Sequence, residues 1–120
     1  MTEEQLQRIY RIPRRHARQG QPFYYGGLTR EYAAAAPGEE RVDPHAGWVW
    51  PLDTINKRLK SHDLPPISAI VVSQTTAMPG VGFWDACERT RAVPVADRDR
   101  IYAEILNDVR QETWPIHLPD

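Results

Sequence analysis

Apolar positions fall into short runs whose period changes along the chain, and each change marks an element boundary. Leu6, Ile9, Tyr10 and Ile12 recur at helical spacing behind Thr2 and Gln5, which form a capping box. A first helix is expected over Glu3 to Arg18, kinked near Pro13, where the ring removes a backbone donor, and ended by Gly20. Pro22 to Tyr25 reads as a short extended piece, and Gly26-Gly27 as a sharp turn into a second helix over Leu28 to Ala36, stopped by Pro37-Gly38. The polar stretch Pro37 to Gly47 is a loop.

Pro51 suits the first turn of a third helix, whose inner face carries Trp48, Leu52, Ile55 and Leu59. The β-branched run Ile67 to Ser73 predicts a buried strand, and Gln74 to Gly82 a hairpin loop leading to a second short strand at Phe83-Trp84. A short helix is expected around Asp85 to Arg91. A longer one follows, capped by Asp97 and striped by Ile101, Tyr102, Ile105, Leu106 and Val109, with Trp114-Pro115 closing the domain. This order predicts an α+β fold of winged helix-turn-helix type: one domain with a three-helix core, a small β-hairpin and an extra C-terminal helix.

Composition narrows the classes. With 120 residues, 41% apolar and 26% charged, the chain affords a single packed core. No apolar run reaches membrane-spanning length and the start is acidic, so a cytoplasmic protein is expected. Cys87 is the only cysteine, which excludes an internal disulfide, and no Cys/His set has the spacing of a zinc site. Neither a metal nor a cofactor is expected.

Net charge is −1 but uneven: residues 1–62 carry ten Lys and Arg against seven Asp and Glu, and residues 63–120 carry five against nine. From Arg8 to Arg30 there are six arginines and no acid. Arg11, Arg14, Arg15 and Arg18, with His16 among them, therefore suit contact with a partner, since guanidinium groups bind phosphates and carboxylates alike through paired hydrogen bonds; the alternative is a solvated helix end. On the third helix Asn56, Lys57, Arg58 and Lys60 point away from the apolar side. In a DNA groove Asn56 would address adenine, Lys57 and Arg58 guanine or phosphate, and Lys60 the backbone; the alternative is a solvated face complementing the helix C-terminus. Gly80, in Met78 to Gly82, would be a wing tip offering backbone amides to DNA, or a plain turn. Trp48 and Trp50 alternate and Tyr24 and Tyr25 are adjacent, so one ring of each pair can face solvent.

Catalytic signals are sparse. Asp43-Pro44-His45 pairs an acid with a histidine but has no second ligand at metal spacing, Ser68 and Ser73 lack a nucleophile elbow, and Cys87 is flanked by Asp85 and Glu88.

Four segments, Tyr25-Gly26-Gly27-Leu28, Pro51 to Asn56, Leu64 to Val72 and Pro79 to Phe83, together resemble a little-characterised bacterial winged-helix-like domain found near restriction-type and other anti-phage systems. The likeness spans about Tyr10 to Trp84 and implies a link to DNA or to phage conflict. A more remote likeness is to the DNA-binding half of alkylguanine-DNA alkyltransferases. Their reactive Pro-Cys-His-Arg segment is missing, so alkyl transfer is not implied. The expectation is a non-catalytic module: a DNA-binding regulator or accessory factor of bacterial defence, or a small phage or mobile-element protein that inhibits a host nuclease complex by binding it. The eleven-residue loop before the third helix is longer than a tight helix-turn-helix turn.

Overall fold

The computed structural model describes residues 2–38, 47–80, 83–84 and 93–120. Along them run α1 (Glu3–Gln19), β1 (Phe23–Tyr24), α2 (Tyr25–Ala35), α3 (Val49–Lys60), a 3-10 turn (Ile67–Ile70), β2 (Val71–Val72), a second 3-10 turn (Val95–Asp97) and α4 (Arg98–Gln111). Four helices and a two-stranded sheet among the described residues make this an α+β arrangement. No helix among the described residues is long and apolar enough to cross a membrane.

The capping box forms as the sequence requires: Thr2 accepts from the Gln5 amide at 3.1 Å, and Gln5 accepts from the Thr2 amide at 2.8 Å. Pro13 is tolerated inside α1, which runs on to Gly20 in the left-handed conformation at φ 73°. The inner face of α1, Leu6, Ile9, Tyr10, Ile12 and Ala17, is buried in the core. The inner face of α3 is buried as expected: Leu52, Ile55 and Leu59 lie in the core with Trp48. Trp48 meets Tyr32 edge to face at 5.5 Å and donates its indole N–H to Thr29 Oγ1 at 2.9 Å.

The structure corrects several expectations. α2 begins at Tyr25, so Gly26 and Gly27 lie inside its first turn rather than forming a sharp turn ahead of it. A Cβ on Gly27 would stand 3.5 Å from the Phe23 ring and 3.8 Å from the Arg30 guanidinium, ordinary contact distances that leave room for a side chain. Only Val71–Val72 of the apolar run is strand; Ile67–Ile70 coils into a 3-10 turn against α1, α3 and α4. Unbroken burial from Ile67 to Val72 suits either geometry, because no solvated face imposes a period of two. β2 pairs with β1 in parallel, Phe23 opposite Val71 and Tyr24 opposite Val72. Phe83 and Trp84 are helical, so the hairpin expected between Ile67 and Trp84 is not formed among the described residues. Parallel strands need a long crossover, and here the segment between β1 and β2, carrying α2 and α3, supplies it. Asp97 precedes α4 but makes no side-chain cap. The helix expected at Asp85 to Arg91 lies outside the described residues.

After α4 the chain doubles back along α1 as an extended strap. Trp114 is buried and donates to the Val109 carbonyl at 2.9 Å, as befits a closing residue. The Pro115 carbonyl accepts from Tyr10 Oη at 2.6 Å and Arg14 Nε at 2.9 Å, and Gln7 exchanges two hydrogen bonds with the Leu118 backbone at 2.8 and 2.9 Å.

Candidate partner-binding surface

Two of the polar residues of α3, Asn56 and Arg58, are turned toward other elements of this chain. Asn56 donates to Ser68 Oγ at 2.6 Å and accepts from the Ser68 amide at 3.3 Å, satisfying the one buried polar side chain of the 3-10 turn. Arg58 grips both oxygens of Glu3 at 2.8 and 2.6 Å, tying the end of α3 to the start of α1. Those hydrogen bonds hold the Glu3 carboxyl far below its usual range, at about 2, and raise the Arg58 guanidinium above its own. Lys57 pairs with Asp53 one turn back at 2.9 Å. Lys60 is exposed and also has an interaction partner. Spacing within α3 revealed a polar edge; the carboxylate that neutralises Arg58 stands 55 residues away and carries no local signal.

Gly80 likewise has an internal task. Its amide donates to Tyr25 Oη at 2.9 Å, and a Cβ there would stand 3.2 Å from the same oxygen. Burial raises the Tyr25 phenol above its ordinary value, and the bond from Gly80 only partly offsets that. Next to it Trp84 donates to the Pro79 carbonyl at 3.1 Å and carries the Arg98 guanidinium 5.1 Å over its ring. The turn at Pro79-Gly80 is thus fastened to the core, and its amide is engaged by Tyr25.

α1 presents a different surface. At about 100° per residue, Arg11, Arg15 and Arg18 fall within about 60° of arc on the face opposite the buried stripe. All three are exposed. Arg15 is bound by Glu31 of α2, and His16 reaches the other oxygen of that carboxylate at 2.8 Å while stacking flat on Phe23 at 3.7 Å. Partial burial works against the ionised form of Glu31, but the hydrogen bonds from His16 and Arg15 outweigh it and the carboxyl sits below its usual range. Arg14 differs from its neighbours, because its Nε is spent on the strap. Arg11 and Arg18 have no hydrogen-bond or ion-pair partner among the described residues, and the same holds for Arg30 on α2, which the sequence reading did not single out.

Of the aromatic pairs, Tyr24 and Trp50 face solvent while Tyr25 and Trp48 turn inward, one ring of each as expected. Ile116, on the strap, is 68% exposed. It stands alone between Pro115 and His117, so no periodicity could have flagged it.

Of the catalytic candidates, Ser68 and Ser73 fall on described residues. Ser68 is consumed by Asn56, and no group of three potential metal ligands occurs among the described residues. Asp43, His45 and Cys87 lie outside them. No protein-family model, no curated protein and no solved structure matches the chain.

Proposed function

We propose that this chain is a non-catalytic binding module that docks on an acidic partner protein through the arginine face of α1. The observation that carries the reading is a contrast. Arg58, Lys57 and Asn56 on α3 are engaged by groups of the chain itself, whereas Arg11 and Arg18 stand exposed with no internal partner among the described residues. Arginine suits the task because its fixed fork of donors meets a carboxylate in paired bonds and is less strongly hydrated than a lysine ammonium. The resemblance to domains near anti-phage systems gives the partner a class: a nuclease or defence complex that such a module would block.

A winged-helix-type module reading DNA through α3 is the competing proposal. It draws on the buried inner face of α3 and on Lys57, whose surface pair with Asp53 is of a kind worth little. One titration separates the two. The wild-type chain, Arg11→Glu/Arg18→Glu and Lys57→Ala/Lys60→Ala are each mixed with polyglutamate and with a short DNA duplex across a salt series. The α1 reading expects polyglutamate binding that weakens by about tenfold or more in the α1 variant and is unchanged in the α3 variant. Duplex binding whose salt slope falls in the α3 variant would overturn it.

A further inference from the structure

Two observations that arise separately meet on one side of α1. The first is the pair of guanidinium groups on Arg11 and Arg18, seven residues apart, which meet no hydrogen-bond or ion-pair partner among the described residues. At a rise of about 1.5 Å per residue this is a separation near 10 Å along a single face. The second is the strap. Two of its anchor points on α1, Gln7 and Arg14, lie four residues before Arg11 and three after it, which are the positions that neighbour Arg11 on a helix surface. Gln7 holds Leu118, and Arg14 holds Pro115. Ile116 therefore stands beside the turn that carries Arg11, with its backbone pinned on both sides and its side chain 68% exposed.

Resting on the α1 reading, we infer that α1 and the strap form one composite docking surface for an acidic amphipathic helix of a partner protein, its carboxylates meeting Arg11 and Arg18 and its apolar stripe covering Ile116. A helical occupant follows from register. Carboxylates seven residues apart on a helix lie about 10 Å apart on nearly the same face. An extended peptide covers that distance in three residues, and successive side chains of a strand alternate, so its second carboxylate would point away. A phosphate backbone matches the arginines but has no apolar group to cover an isoleucine. Pinning matters energetically as well. Binding ordinarily loses part of its gain to ordering loops, and the strap is ordered before the partner arrives. Arg15 stays with Glu31 in the complex, which leaves Arg11 and Arg18 to set the register.

The test uses the full chain and three probes: a helix-stapled peptide of about 20 residues with Glu at positions i and i+7 beside a leucine stripe, the same composition with the Glu residues permuted off that face, and a short duplex. The chain is expected to bind the in-register peptide about tenfold more tightly than the permuted one, a difference of about 1.4 kcal/mol. Ile116→Ser, which alters only an exposed side chain and leaves the melting temperature unchanged, is expected to weaken the in-register peptide about tenfold, and Arg11→Glu to abolish the preference. Equal affinity for both peptides, or an Ile116→Ser variant that binds like the wild type, overturns the helix inference while leaving an acidic partner in place. Binding of the duplex with neither peptide overturns the inference together with the reading it rests on.

Discussion

Asn56 looks like a base reader because an amide on a helix flanked by Lys57 and Arg58 has that chemistry. In the fold it serves a nearer need. Ser68 is buried with its hydroxyl and amide in reach, and Asn56 satisfies both. Asn56→Ala should therefore cost about 1 to 3 kcal/mol in urea unfolding, since both groups lose a partner away from water. A loss below about 0.5 kcal/mol, the range of ordinary surface changes, would show that the pair is incidental. At this scale the sequence displays residue chemistry but hides partners. The arginines of α1 were legible as a basic face because their spacing is local; the capture of Arg58 by Glu3 and of Arg14 by the strap depends on contacts about a hundred residues apart or half that.

Elements were legible where one face is buried and the other wet. α1, α3 and α4 meet that condition, and their apolar stripes predicted them to within a few residues. Ile67 to Val72 does not. Buried throughout, it offers no alternation by which a strand is told from a turn, and Ser68 is drawn toward α3 by Asn56. The expected hairpin failed for a related reason: a strand finds its neighbour through tertiary packing, and β1 lies beside β2 because α2 and α3 cross over between them. The sequence leaves Gly80 as a wing tip for DNA or a plain turn, and its close approach to Tyr25 gives a sharper reason for glycine. Gly80→Ala forces the phenol to shift from a contact of 3.2 Å and puts the Tyr25 bond at risk, so a loss of about 1 kcal/mol is expected. Pairing it with Tyr25→Phe in a double-mutant cycle checks the cause, because the two losses should then fall short of additive.

For the whole molecule, the near-neutral total conceals paired charges that respond to acid. Glu3 and Glu31 both ionise below their usual range in the fold, Glu3 at about 2 against an ordinary 4.5. A carboxylate with a lowered value stabilises the folded state fully above its unfolded value, and the contribution fades as pH falls toward the folded one. Melting temperature should accordingly drop between about pH 4.5 and pH 2, and Glu3→Gln should flatten that drop while lowering the plateau above it. A Glu3→Gln chain with the wild-type profile would mean that the contact with Arg58 is too solvated to matter. The same fold separates duties among its cations: Arg58 of α3 links two helices, Arg14 holds the strap, and Arg11 and Arg18 on α1 face outward.

The parallel ladder has a consequence in time. Phe23 and Val71 are 48 positions apart (71 minus 23), so joining them before anything else is in place would cost about 3 kcal/mol of loop entropy, against a ladder only two residues long. It cannot nucleate folding and must wait until α2 and α3 have shortened the path. In pulse-labelled refolding, amides at the ladder should gain protection later than those of α1 and α4, making this smallest of sheets a clock for the final step of assembly.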